Sequence, residues 1–213
     1  MRIKTKKEAD LIIDKLIKYY PDAECELEHE NAFQLLVATI LSAQCTDVRV
    51  NMITKTLFET VKRPEDILEM GMEKLIEIIR PCGFFNSKAK NIMGSSLKLV
   101  KEYNSQVPDT MKELIKLPGV GRKTANVVLS NIFGVPAIAV DTHVFRVTNR
   151  IGLVKTKTPD ETEQALMKKL DKSKWTIAHH VLIFHGRRIC AARKPKCEIC
   201  PIDEDCNYLK EMQ

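Results

Sequence analysis

Cys190, Cys197, Cys200 and Cys206 fall within 17 residues, separated by six, two and five others, and four thiolates that dense can wrap one metal centre. Only Cys197 and Cys200 have the two-residue gap usual in a structural zinc site, so spacing alone admits either a zinc ion or a cubane iron–sulfur cluster. The remaining cysteines, Cys25, Cys45 and Cys82, are scattered, which brings the total to an odd seven. That distribution suits a metal or cluster site in a reducing compartment better than a disulfide framework. Arg187, Arg188, Arg193, Lys194 and Lys196 surround the first cysteines with no acid between residues 187 and 196. A loop braced by a rigid centre could present these cations to phosphates, although a solvated charge run would read the same way. A second constellation runs from Leu114 to Ala125, where an apolar stretch ends at Pro118-Gly119-Val120-Gly121 and a new helical pattern starts at Arg122. Two glycines free the backbone to expose successive N–H groups, and with a helix N-terminus these make a phosphate-sized anion site. The Gly-x4-Gly-Lys-Ser/Thr spacing of a nucleoside triphosphate loop is absent.

The elements that must carry these residues are helical. Leu11, Ile12, Leu16 and Ile17, then Leu35, Leu36, Ala38 and Ile40, then Leu75, Ile78 and Ile79, then Val127, Val128 and Ile132 recur at helical spacing, and sustained alternation is missing. Turn signals at Pro21, Pro64, Pro81, Pro108, Pro118, Pro136 and Pro159 leave room for roughly ten short helices. Thr5, Asn86, Asp109, Asp141 and Thr158 read as their N-caps. The uncharged run from Asn31 to Thr46 is short and polar for a membrane span, and predicts one buried helix. With 213 residues, 44% hydrophobic and 29% charged, the chain suits one large domain or two modest ones and is not a disordered composition. A net charge of +6 permits an anionic partner without demanding one. The basic first residues, with acids inside the apolar stretch that follows, do not spell a secretory signal.

Together LPGVGRKTANVV at 117–128, VDTHVFRVTNR at 140–150, LLVATILSAQCTD at 35–47, GFFNSKAKNI at 83–92 and the four-cysteine tail after His185-Gly186-Arg187 closely resemble endonuclease III, a helix-hairpin-helix glycosylase family acting on pyrimidine damage. The resemblance covers nearly the whole chain. It implies an all-α protein of two helical lobes with a DNA-binding cleft between them. The helix-hairpin-helix motif would belong to a barrel-like domain over 25–135. A C-terminal loop with a four-iron, four-sulfur cluster on Cys190, Cys197, Cys200 and Cys206 would belong to a domain formed by 1–24 and 136–213.

Within that resemblance Lys123 falls on the family's nucleophile position and Asp141 on its catalytic carboxylate. A lysine amine can attack C1′ of a damaged nucleoside, displace the base and leave an imine, which acidifies the C2′ proton so that the 3′ phosphate departs by β-elimination. The amine must be neutral to attack, a state favoured by burial, by neighbouring Arg122 or by the positive end of its helix. Asp141 would relay a proton or stabilise an oxocarbenium-like centre. Gln44 matches a family position that enters the duplex, and Phe84 of the Gly-Phe-Phe turn is a candidate wedge between bases, with Phe85 reading as packing. Leu117, Gly119, Val120, Gly121 and Arg122 of the hairpin, and Arg193 and Lys194 of the basic loop, are the expected DNA contacts. His143 is a candidate for shaping the pocket, whereas Trp175, His179, His180 and His185 read as scaffold.

The expected activity is removal of oxidised or ring-saturated pyrimidines from double-stranded DNA, with lyase cleavage at the resulting abasic site, by a monomer without membrane contact. Its place would be the cytoplasm beside the nucleoid, or the nucleus in a eukaryote. Other readings are a mismatch glycosylase, which Lys123 and the absence of room for a further C-terminal domain count against, a pyrimidine-dimer glycosylase, and a non-catalytic DNA-binding or redox-sensing cluster protein.

Overall fold

A computed structural model describes residues 2–212. Among the described residues the chain forms eleven α-helices and two short 3-10 turns, with no strand. It divides into two compact units, Cys25–Val135 and Met1–Glu24 with Pro136–Gln213.

In the first unit, α2 (Ala32–Leu41) carries no charge, and every residue from Phe33 to Leu41 is buried. A helix apolar all round must be surrounded, and α3 (Asp47–Thr60), α5 (Phe85–Glu102) and α7 (Arg122–Ile132) all pack against it. Its one buried amide is satisfied: Gln34 Nε2 donates to the Val61 carbonyl at 3.0 Å, and Oε1 accepts from the Glu30 N–H at 2.8 Å. α4 (Pro64–Ile79), broken by a kink at Gly71, pairs with α5, and the four-residue α6 (Met111–Leu114) leads into the turn before α7.

The second unit joins both ends of the chain. The amphipathic α1 (Lys6–Tyr19) buries Ala9, Ile12, Ile13 and Leu16 in a core shared with Val144, Val147 and Ile151 of α8 (Thr142–Ile151) and Ala178, Val181 and Leu182 of α10 (Trp175–Arg188). α9 (Pro159–Lys169) and α11 (Asn207–Met212) flank α8. Thr5 starts α1 with a reciprocal box: its hydroxyl accepts from the Glu8 N–H at 3.3 Å, while Glu8 Oε2 accepts from the Thr5 N–H at 2.7 Å. Two buried histidines of α10, His180 and His185, are pushed down to about 4 by burial and stay neutral, which fits scaffold.

Thr5, Asp141 and Thr158 cap helices as their positions suggest. Two others do not. Asn86 lies inside the first turn of α5, whose N-cap is Phe84 in a left-handed conformation, and α6 is capped by Thr110 rather than Asp109. The 31–46 run is not one helix either. α2 stops at Leu41, Gln44 adopts φ +53°, and Thr46 caps α3 by accepting from the Arg49 N–H.

Candidate active site

The hairpin between α6 and α7 is shaped by two glycines with different duties. Gly119 has φ +75°, and a Cβ built there would stand 2.7 Å from the Asn91 Cβ on α5. Left-handed backbone and close approach both exclude a side chain. Gly121 has extended backbone and open space around it, and it caps α7 with no side chain. The turn is pinned from behind, where Ser95 Oγ donates to the Pro118 carbonyl at 2.7 Å and the Val120 N–H donates to the Leu117 carbonyl at 3.1 Å. Leu117 and Val120 therefore bury their side chains, and any contact of theirs with DNA is a backbone contact. Gly119, Gly121 and Arg122 are exposed. We expect Gly119→Ala to cost about 2 kcal/mol or more in chemical unfolding, whereas Gly121→Ala stays within about 0.5 kcal/mol of the parent.

Lys123 is the second residue of α7 and is exposed, where the expectation was a buried amine. It stands in the first turn of that helix, next to Arg122. Asp141, in the other unit, is half-buried at the N-cap of α8, where Oδ1 accepts the N–H groups of both His143 and Val144 at 2.8 Å. Both capping bonds fall on Oδ1. His143 accepts from Arg146 Nη2 at 3.1 Å, and its Cβ presses where Gly186 has none.

Gln44 is exposed in the turn after α2, and Phe84, 68% exposed, opens α5 with φ +57°. Non-glycine residues in this region cost about 1–3 kcal/mol, so the surrounding turns hold both in place. Phe85 is half-buried beneath the Arg80 guanidinium, 5.9 Å from its ring centroid, consistent with packing.

None of the seven cysteines forms a disulfide. Cys190, Cys197, Cys200 and Cys206 are half-buried in one unit, with Cys190 and Cys200 against its apolar core. Burial pushes the Cys200 thiol up to about 11 and holds Cys197 and Cys206 above their usual range, with the other sulfurs adding to each. Among the described residues no three His, Cys, Asp or Glu side chains converge as ligands of a single ion. The donors themselves suit a cluster: four sulfurs, an Arg150 Nη1 donating to Cys190 Sγ at 3.6 Å, and His185 Nε2 at 3.7 Å from Cys200 Sγ. Arg193 and Lys194 are exposed on the same loop. Two residues not singled out by their sequence context hold that loop. Arg146 donates to the carbonyls of Gly186 and Cys190, and Arg150 to those of Ala191 and Ala192. Their spacing by four, on the face of α8 behind Asp141, was the available signal.

Two helices joined through a tight glycine turn that presents an exposed lysine define a helix-hairpin-helix protein. The family model described as HhH-GPD superfamily base excision DNA repair protein matches residues 37–172, and the chain belongs to that family. Within it the chain is similar to endonuclease III of Rickettsia conorii (strain ATCC VR-613 / Malish 7), with 55% identity over 201 residues covering 92% of this chain and 96% of that protein. It is also similar to the protein in two solved structures, a non-covalent endonuclease III–DNA complex and a trapped endonuclease III–DNA covalent intermediate with an estranged adenine. Each has TM-score 0.94 and 47% identity and covers 99% of both chains. Among the described residues no helix is long and apolar enough to cross a membrane.

Proposed function

We propose that the protein is a bifunctional DNA glycosylase and abasic-site lyase of base excision repair, taking oxidised or ring-saturated pyrimidines from double-stranded DNA as a monomer. The observation that carries this reading is Lys123, exposed on the first turn of α7 directly after the Gly119–Gly121 turn. The turn's backbone N–H groups would hold phosphate while the amine forms a bond to C1′ and the base leaves. The nitrogen lone pair then expels the ring oxygen, giving an imine. Removal of a C2′ proton sends electrons toward that imine and the 3′ phosphate departs. Asp141, held through Oδ1, supplies Oδ2 for proton relay or for stabilising positive charge at C1′. Gln44 and Phe84 fill the space left by the extruded base, whose unstacking costs a few kcal/mol. The test is borohydride reduction on duplexes bearing an oxidised pyrimidine, where a covalent protein–DNA adduct is expected. No adduct on any oxidised pyrimidine or abasic duplex rejects the reading.

Cys190, Cys197, Cys200 and Cys206 would hold a four-iron, four-sulfur cluster, which when bound supplies a rigid anchor for a loop whose own side chains carry the positive charge. Purified protein should be brown with about four irons per chain. Colourless protein with stoichiometric zinc and no iron refutes that assignment.

Arg193 and Lys194 would meet phosphates rather than read bases, since no recognition helix accompanies them. Each replaced by Ala should reduce the slope of log affinity against log salt by about one unit, with little dependence on undamaged sequence. Unchanged slopes in both variants assign the loop to solvent.

A further inference from the structure

The turns that carry Gln44 and Phe84 meet over a buried cluster that the proposed chemistry does not use. Lys88, on the second turn of α5, is 4% exposed, and its ammonium pairs with no carboxylate among the described residues. Its Nζ donates to the Leu41 carbonyl at 2.8 Å and to Cys82 Sγ at 3.2 Å. Cys82 is fully buried and donates to the same carbonyl at 3.0 Å. Cys45 follows in the same turn, its N–H donating to the Ser42 carbonyl at 3.0 Å, with its thiol near enough to that of Cys82 for the two sulfurs to act on each other electrostatically. Two thiols and an ammonium thus share the C-terminal end of α2, where the helix dipole favours the cation.

The two thiols differ in access. Cys45 is partly exposed and Cys82 is not, so a reagent from solvent meets Cys45 first and Cys82 can resolve the product. Burial and the neighbouring sulfur hold the Cys45 thiol above its ordinary range, so the first step should quicken as pH rises. Gln44 immediately precedes Cys45, and Phe84 follows Cys82 by two residues, both in left-handed backbone that a cross-link would no longer let relax.

We propose that Cys45 and Cys82 are a reversible disulfide site, oxidised by a small-molecule disulfide, which ties the Gln44 turn to the Phe84 turn and lowers affinity for duplex DNA. The Cys45 thiolate attacks one sulfur of glutathione disulfide, breaking its S–S bond and expelling one glutathione thiolate. The Cys82 sulfur attacks the Cys45 sulfur of the mixed disulfide and expels the second glutathione, whose thiolate takes up the Cys82 proton and leaves as the thiol. Two protein thiols are oxidised and one disulfide is reduced to two thiols. The Lys88 ammonium lies beside the sulfur that bears charge in the second step. The effect on DNA rests on the proposed function; the bond itself does not.

The holoprotein is incubated with glutathione disulfide, alkylated, digested and mapped by mass spectrometry. A peptide linking Cys45 to Cys82, about 2 Da below the sum of its reduced parts, is expected to vanish with dithiothreitol and to be absent from Cys45→Ala. Cys82→Ser, which keeps the buried polar position, should stop at the mixed disulfide on Cys45. Affinity for an abasic duplex should fall about fivefold or more on oxidation and recover on reduction, while Cys45→Ala binds equally well before and after treatment. Glutathionylation alone in the parent, or no reaction at Cys45, overturns the site. A linked peptide with unchanged affinity overturns the coupling to DNA. Failure of the trapping assay with untreated protein would instead strike the proposed function and leave the peptide map standing.

Discussion

Lys123→Gln is expected to abolish both the borohydride-trapped adduct and strand cleavage while lesion binding persists. An amide of similar volume cannot form an imine, so every step after attack on C1′ is removed at once. Because Lys123 is exposed, the exchange leaves no cavity and no buried polar group, and the melting temperature should hardly move. That combination separates loss of chemistry from loss of fold. Cleavage and trapping at the parental rate would place the nucleophile elsewhere.

Asp141→Asn should act differently because the amine survives. Base removal is expected to slow by about two to four powers of ten, the usual contribution of a positioned proton-transfer group. A preformed abasic site should still be trapped, since no base has to leave. The substitution also tests the two duties of the residue. Asparagine is a good N-cap, so the Oδ1 bonds to the His143 and Val144 N–H groups can be retained and stability should change little. Asp141→Ala, in contrast, should lose about 1 kcal/mol of stability with the cap. If Asp141→Asn excises bases at the parental rate, capping is the sole duty of the carboxylate.

The helical class was legible because it depends on punctuation: proline and glycine turns, with Thr5, Asp141 and Thr158 before apolar periodicity, leave few alternatives. The hairpin was legible for the same local reason. What escaped was set by contacts distant in sequence. Asn86 has the chemistry of a cap, but Phe84 takes the cap position in left-handed backbone, and no propensity forecasts that. Gln44 sits in an uncharged run whose composition says helix, yet its φ of +53° ends one. Lys88 looks like any surface lysine in its string, and only the packing of α5 against α2 reveals that it is buried. Lys123 erred in the opposite direction, since the need for a neutral amine suggested burial where the fold provides exposure. For Asp141 the sequence context offered a cap and a catalyst as rivals, and the geometry on Oδ1 makes them compatible.

The joining of both chain ends in one unit has a consequence for how the protein is made. α1 emerges from the ribosome well before α10, against which it packs and which begins about 156 residues after α1 ends. At bacterial or eukaryotic elongation speeds of about 5–20 residues per second, that delay is roughly 8–30 s. Throughout it Ala9, Ile12, Ile13 and Leu16 have no native core to enter, while Cys25–Val135 can complete its own. The nascent α1 is therefore a natural client for chaperones that shield short apolar helices during synthesis.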